Sequence, residues 1–138
     1  MACAITIETT RIMQRENMLE NINIQGDYMK EQLIKMRDRH PLIGDVRGCG
    51  LLIGVELVKD HASRTCLPNE QRALAKVMGA GYANKVILEA ASGKMKRGLE
   101  GEAIILAPYF GVTRAEMDEL LEKLDLIFGQ AEAQIDFS

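Results

Sequence analysis

The residues whose spacing could first indicate chemistry are the glycines of the segment DVRGCGLLIGVELVKD, from Asp45 to Asp60. Gly48, Gly50 and Gly54 form a G-x-G-x-x-x-G pattern. A dinucleotide-binding loop requires G-x-G-x-x-G between a strand and a helix, because the helix N-terminus holds the pyrophosphate. Here the glycines run into LLIGVELV, an apolar and β-branched stretch that predicts a strand. They therefore predict a bulge or a tight approach of neighbouring backbone within a β-ribbon, and not a nucleotide site.

The histidines and cysteines do not form a recognisable set of catalytic or metal-binding groups. His40 and His61 lie beside a turn or loop, without a Cys, Asp or Glu at metal-ligand spacing, so we expect both to be solvated or to cap a helix. Cys3, Cys49 and Cys66 are odd in number and form no CxxC pair, which favours buried or free thiols in a reducing cytoplasm. No Ser, Cys or Lys has an activating partner. We therefore expect no catalytic residue, no cofactor-binding residue and no metal site in this chain.

The amino-acid composition indicates which broad class of protein this chain belongs to. The chain has 138 residues, 47% hydrophobic and 27% charged, with a net charge of -3. These values are typical of one globular domain and give no electrostatic case for binding nucleic acid or an anionic membrane surface. The apolar runs are too short to span a bilayer. The N-terminal MACAITIETT has no basic region and is interrupted by Glu8, so it does not predict a secretory signal.

The helices are predicted from capping residues and apolar periodicity. The segment up to Arg39 predicts two helices that divide near Arg15, where Asn17 and Glu20 resemble a capping box for the second. Pro41 ends this helical part. The second helix has one apolar face, formed by Ile22, Met29, Leu33 and Met36.

A further helix is predicted near the end of the sequence. Thr113 and Glu116 form a capping box, and apolar residues follow at helical spacing. These apolar residues are Met117, Leu120, Leu121, Leu124, Ile127 and Phe128. Glu116, Asp118 and Glu119 are expected to form a solvated face.

Between the helices the sequence predicts strands and one short helix. Residues Val46 to Val58 have β character, and Lys59 to Pro68 form a loop. A short helix is predicted from Asn69 or Glu70 to about Met78, ended by Gly79 and Gly81.

Two more strands are predicted at Val86 to Ala90 and Ala103 to Leu106, separated by the loop SGKMKRGLEGE. The order of elements predicts an α+β fold, with a small, largely antiparallel sheet packed against helices. We expect a helical N-terminal arm over residues 1–40 and an α+β layer over residues 41–138.

Three segments together resemble one enzyme family. HPLIGDVRGCGLLIGVELVKD resembles the H-P-x-I-G-D-V-R-G-x-G-L-x-x-G-x-E-L-V block of class III aminotransferases, which are pyridoxal-phosphate (PLP) enzymes of fold type I. ACAITIETTRIMQRENMLENI resembles the helix after the family's GHP segment, and ILAPYFGVTRAEMDELLEKL its closing strand and helix. The resemblance implies that residues 1–138 are the C-terminal small domain of such an enzyme. It also implies that the large PLP-binding domain, with its Schiff-base lysine, is absent from this truncated chain.

The resemblance points to one candidate substrate-binding residue. In the ornithine and dialkylglycine branches a carboxylate-binding arginine lies two residues before the Ala-Pro of the last strand, where this sequence has Ile105. In the ω-amino-acid:pyruvate and taurine:pyruvate branches an arginine lies earlier, and Arg97 is its best match. A guanidinium can hold a carboxylate or sulfonate bidentately and move away for a neutral substrate. The alternative is that Arg97, with Lys94 and Lys96, belongs to a solvated basic loop.

We therefore expect a PLP-dependent aminotransferase in the full-length parent. It would transfer an amino group from an ω-amino compound to a keto acid such as pyruvate. The 138-residue chain alone would bind no PLP and would be inactive. Its partners would be the amino donor and the keto-acid acceptor, and the family implies a homodimer or larger homo-oligomer. The alternative is a non-catalytic binding or regulatory module that keeps the small-domain fold.

Overall fold

A computed structural model describes residues 2–95 and 100–138, and the side chains of residues 3–91 and 101–138. The helices and strands follow one another along the chain in the order that the sequence predicts. The elements are α1 (Ala2–Arg15), α2 (Met18–Arg37), β1 (Ile43–Cys49), β2 (Leu52–Leu57), α3 (Ala73–Ala83), β3 (Glu89–Met95), β4 (Glu100–Leu106) and α4 (Arg114–Glu132). A single 3-10 turn, Asn69–Gln71, precedes α3. Within the described ranges, no helix combines the length and apolar character needed to cross a bilayer.

The four strands form one antiparallel sheet in the order β1-β2-β4-β3. The pairs β1–β2 and β3–β4 are consecutive in the chain, and β2 pairs with β4 in the middle of the sheet. This arrangement confirms the predicted α+β class and the largely antiparallel sheet. It brings the DVRG segment of β1 beside the GVEL segment of β2, so their side chains share the two faces of the sheet.

One face of the sheet packs against the helices. Helix α2 lies on β1, α3 lies near β3 and β4, and α4 contacts both α2 and α3. The largest side chains that are fully buried in this core come from both layers: Met29, Leu33, Ile53, Val55, Leu57, Ile104, Leu124 and Phe128. The predicted apolar faces of α2 and α4 are confirmed, because their buried residues follow the predicted spacing.

A close backbone contact fixes α2 against the first hairpin. Gly50, with a φ of 55°, forms the β1–β2 turn in the left-handed region. A Cβ atom on Gly26 of α2 would lie 2.3 Å from the carbonyl carbon of Gly50. Within the hairpin itself, a Cβ atom on Gly48 would lie 2.2 Å from the Leu52 carbonyl oxygen, so the predicted tight approach of neighbouring backbone within the ribbon is confirmed.

The capping predictions have different outcomes. Thr113 and Glu116 form the predicted capping box, since the Thr113 hydroxyl accepts from the Glu116 amide and the Glu116 carboxylate accepts from the Thr113 amide. The capping box at Asn17 is wrong. Asn17 has a φ of 49°, and its side chain accepts no backbone N–H but donates to the Glu20 carboxylate. An N-cap side chain reaches the first turn from extended backbone, and the left-handed conformation of Asn17 directs it elsewhere.

The predicted end of α3 is wrong as well. Gly79 and Gly81 lie inside the helix, which continues to Ala83. A Cβ atom on Gly81 would lie 3.0 Å from the Val86 carbonyl oxygen, and the Val86 amide donates to the Gly81 carbonyl. Gly81 therefore permits the chain to return closely past the helix end, and does not break the helix.

The second pair of strands also differs from prediction. Residues 86–88 precede β3, which begins at Glu89 and extends to Met95. Strand β4 begins at Glu100, so both strands enter the segment SGKMKRGLEGE that the sequence predicts as a loop. Ladder hydrogen bonds use backbone groups, so a polar, glycine-containing segment can pair when its partner strand is in place.

Candidate functional site

The sheet has a second face, opposite the helices, which we call the outer face. Strand register assigns its residues, because directly paired residues lie on the same side. The outer face consists of Asp45, Arg47 and Cys49 of β1, Leu52, Gly54 and Glu56 of β2, Ala103 and Ile105 of β4, and Glu89 and Ala91 of β3. The alternation of Glu56 with Val55 and Leu57 in the sequence is the signal for this outward position, which is not among the predictions made above.

Three charged side chains meet on the outer face. The Arg47 guanidinium lies between two carboxylates, with Nε 3.5 Å from Asp45 Oδ2 and Nη2 3.5 Å from Glu56 Oε2. Only 5% of the Glu56 side chain is exposed, whereas 67% of the Arg47 side chain is exposed. Glu56 Oε1 is buried and accepts no hydrogen bond from the residues that the structure describes.

Arg97, the predicted substrate-binding residue, lies outside the described residues, and so does Lys96. The strands before and after them are paired up to Met95 and Glu100. Ile105, at the position of the ornithine-branch arginine, is half-buried on the outer face between Gly54 and Glu89. The proposed role of Arg97 remains a prediction.

A second polar cluster surrounds His40, which precedes β1. Its Nδ1 lies 2.8 Å from Glu132 Oε2 and its Nε2 lies 3.1 Å from Asp125 Oδ1, both on α4. Only 8% of His40 is exposed, so the prediction of a solvated or capping histidine is wrong for this residue. Glu132 also accepts the Leu42 amide at 3.0 Å, and this clamp ties the start of β1 to α4.

The hydrogen bond from Arg39 to Asp125, 2.5 Å long, lowers the pKa of the Asp125 carboxyl. Every polar group of the cluster has a protein partner, so the arrangement is that of a structural clamp. His61, in contrast, is exposed in the loop after β2, as predicted.

The acidic start of α4 is engaged in contacts and is not simply solvated. Glu116 accepts the Tyr109 hydroxyl at 2.8 Å, which raises the tyrosine pKa, and its bonds to Thr113 lower the pKa of Glu116 itself. Asp118 accepts the Tyr28 hydroxyl at 2.6 Å, which raises the pKa of Tyr28. Glu116 and Glu119 are exposed, as predicted for a solvated face, whereas Asp118 is half-buried beneath its contact with Tyr28.

The described parts of the chain hold no group of three His, Cys, Asp or Glu arranged to bind a metal ion. Cys3, Cys49 and Cys66 are not in disulfide bonds, and Cys3 and Cys49 are exposed.

Comparison with known proteins assigns the family. The family model described as aminotransferase class-III matches residues 1–128. The chain is 34% identical over 131 residues to the taurine–pyruvate aminotransferase of Bilophila wadsworthia strain 3_1_6, covering 94% of this chain and 27% of that protein. It is 32% identical over 136 residues to the (R)-1-hydroxy-2-aminoethylphosphonate ammonia-lyase of Vibrio splendidus strain 12B01, covering 98% and 25%.

Among solved structures, a transaminase from the marine bacterium Virgibacillus superposes with a TM-score of 0.88 at 26% identity, covering 96% of this chain and 29% of that one. The chain belongs to the class III aminotransferase family. It spans about a quarter of the length of the curated relatives that it matches.

The family's cofactor can be tested against the residues of this chain. PLP requires a lysine for its Schiff base, and a reactive lysine is typically desolvated or beside another cation. None of the lysines whose side chains the structure describes is buried: Lys30, Lys35, Lys59, Lys76, Lys85 and Lys123. Several already donate to other groups, Lys35 to Glu31, Lys76 to the Gln134 carbonyl and Lys123 to Glu119. The described lysines do not fit a PLP site.

Proposed function

We propose that this chain is the C-terminal small domain of a PLP-dependent aminotransferase that transfers an amino group from an ω-amino compound to a keto acid such as pyruvate. In the longer protein, PLP held by another domain supplies the electron sink. The small domain contributes the sheet and Arg97. A cytoplasmic homo-oligomer is part of the same proposal.

The observation that carries this proposal is the extent of the match. The family model covers residues 1–128, from α1 into α4, while the chain spans only 25–27% of the relatives described above. One folded unit thus matches about a quarter of a longer protein. The described lysines, none of them buried, support the view that the Schiff-base lysine lies elsewhere.

The choice of an ω-amino donor and a keto acid rests on two further points. The taurine–pyruvate relative is named for an amino sulfonate and a keto acid, and it covers 94% of this chain. Arg97 offers a guanidinium, which can form two parallel hydrogen bonds with a carboxylate or sulfonate. We propose that Arg97 binds the acidic group of the substrate.

A chimera tests this proposal directly. Residues 1–128 would replace the matching segment of the Bilophila taurine–pyruvate aminotransferase, and the two half-reactions would be measured separately. We expect the chimera to bind PLP and to convert pyruvate to alanine. Arg97→Ala should lower kcat/KM for pyruvate on the order of ten- to a hundredfold, which is the loss expected for a charge-assisted hydrogen bond. The half-reaction with a neutral amine should barely change.

Arg97→Lys and Lys96→Ala are the matched controls. Arg97→Lys should restore only part of the activity, since an ammonium cannot form the planar fork, and Lys96→Ala should have little effect. Equal losses in both half-reactions, or none, would show that Arg97 does not bind the acid. Release of ammonia without a keto acid would favour the reaction named for the Vibrio relative.

The isolated 138-residue chain gives a second test. We expect it neither to retain PLP after dialysis nor to transaminate, because the described lysines provide no desolvated amine. A PLP absorbance band that survives dialysis and is lost after borohydride treatment, together with turnover of an amine and pyruvate, would contradict this expectation.

A further inference from the structure

The Glu56 carboxylate on the outer face has a buried oxygen without a hydrogen-bond donor. Its Oε1 atom accepts nothing from the described part of the chain, although only 5% of the side chain is exposed. A carboxylate oxygen that has lost water and gained no donor is costly, and such groups are rare in native proteins. The position of Glu56 therefore indicates a missing donor.

The neighbouring charges show which kind of donor is missing. Asp45 lies directly opposite Glu56 across the β1–β2 ladder, so two carboxylates are neighbours on one face. Among the residues whose side chains the structure describes, the cation beside them is Arg47, and both of its contacts, at 3.5 Å, are longer than a well-formed charge-assisted hydrogen bond. With two negative charges and one positive, the cluster lacks one cation.

The surface next to the cluster has room for a ligand. Gly54 adjoins Arg47 in the ladder, and a Cβ atom built on it would meet only the Arg47 carbonyl oxygen, at 3.8 Å. Ala103 and Ala91 pair in line with Glu56 and present only methyl groups. An alkyl chain or a planar group can thus lie on small residues while its charged end reaches the carboxylates.

We propose that Asp45 and Glu56 form a binding site for an organic cation, an ammonium or guanidinium group, which displaces the Arg47 side chain. The described residues contain no cluster of three metal-ligating side chains, so the site is better suited to N–H donors than to a metal ion. The large exposed fraction of Arg47 leaves its guanidinium free to move aside. This proposal is independent of the reaction that the longer protein performs.

The experiment is a titration of the 138-residue chain with n-butylammonium and with ethylguanidinium, followed by the backbone amide NMR signals of Asp45 and Glu56. We expect saturable shifts with half-saturation in the range of tens of millimolar, typical of one charge-assisted contact. The neutral probe N-ethylurea should cause no saturable shift. Equal ionic strength in all samples removes general screening effects.

Three variants test whether binding of the cation depends on Glu56. Glu56→Gln should abolish saturation. Arg47→Met should tighten binding about two- to fivefold, because it removes the internal competitor. Glu89→Gln is the matched control: it removes one negative charge from the same outer face, at an exposed position on the far strand, and should leave binding unchanged. The dispersion of the amide signals shows directly whether each variant is folded.

Dilution of the protein in the absence of any probe distinguishes a cation supplied by a second copy of the chain from one supplied by another molecule. If the Glu56 signals depend on protein concentration in the wild type but not in Glu56→Gln, the cation is a basic side chain of a second copy. If the Glu56 signals do not depend on protein concentration, but the probes cause saturable shifts, the cation is a free amine or belongs to another protein. Both outcomes agree with the proposal. If no probe saturates in the wild type or in Arg47→Met, and dilution changes nothing, the proposal is wrong. Equal affinity of Glu56→Gln and Glu89→Gln would also overturn it.

Discussion

Replacing Glu132 by alanine is expected to destabilise the fold by about 3 kcal/mol, because this carboxylate holds the start of β1 against α4. It contacts the His40 ring at 2.8 Å and accepts the Leu42 amide at 3.0 Å. Only 15% of the Glu132 side chain is exposed, so little water can replace these contacts.

The magnitude follows from the two contacts. Hydrogen bonds to charged groups contribute about 1.5–3 kcal/mol, and a buried amide left without an acceptor costs about 1–3 kcal/mol. Residual access of water reduces their sum to about 3 kcal/mol. Glu132→Gln keeps an oxygen for the Leu42 amide and loses only the charge beside His40, so we expect about 1 kcal/mol.

Urea unfolding measures these differences as shifts of the midpoint at constant m-value. The matched control is Glu122→Ala, an exposed position on the same helix, which should change the free energy of unfolding by no more than about 0.5 kcal/mol. If Glu132→Ala and Glu132→Gln shift the midpoint no more than Glu122→Ala does, the clamp does not stabilise the fold.

The same cluster predicts a pH dependence through Asp125, whose pKa Arg39 lowers below the ordinary value of 3.8. A lowered pKa means that the folded state binds fewer protons than the unfolded state. The contribution of Asp125 is therefore complete above the unfolded pKa and is lost as pH falls through the folded pKa. The difference in stability between the wild type and Asp125→Asn should shrink at acidic pH. A difference that stays constant down to about pH 2 would contradict this reasoning.

The other predictions concern packing and association. Gly26→Ala should destabilise the fold by about 2 kcal/mol or more, because the new Cβ atom would lie 2.3 Å from the Gly50 backbone. Gly79→Ala should instead stabilise α3 by about 0.5–1 kcal/mol, because no atom lies within 4 Å of the new Cβ. Thermal unfolding should show a lower melting temperature for Gly26→Ala and a higher one for Gly79→Ala. Equal changes would contradict the close contact between Gly26 and Gly50. The exposed apolar residues of α1, such as Ile5 at 61%, should drive dimerisation or higher association, which Ile5→Lys should weaken. A clean monomer of the wild type by light scattering at high concentration would contradict this.

Local chemistry in the sequence accounts for the features that were predicted correctly. The capping box at Thr113 and Glu116 and the periodicity of α4 involve residues within one or two turns of each other. The apolar and β-branched run after Gly50, which predicts strand β2, is local in the same way. The resemblance to class III aminotransferases also rests on contiguous segments, and the comparison bears it out.

Errors occurred where a contact with the next element of the chain decided the conformation. Gly81 has the identity of a helix terminator, yet it serves the close passage of Val86. The segment around Ser92 has loop composition, yet it pairs with Glu102 in the ladder. In both cases a contact between neighbouring elements outweighs an intrinsic propensity of about 1 kcal/mol.

The sequence by itself determined the family, the α+β class, the order of the elements and the helical apolar faces, because each depends on neighbouring residues. Only the tertiary structure decided the environments of His40 and Glu56. His40 meets carboxylates that are 85 and 92 positions away along the chain. Glu56 becomes a buried carboxylate, with one oxygen that has no donor among the described residues, only once the β1–β2 and β2–β4 registers place Asp45 and Ala103 beside it. Burial and partner identity set the chemistry of an ionisable group, and both arise only when distant segments pack together.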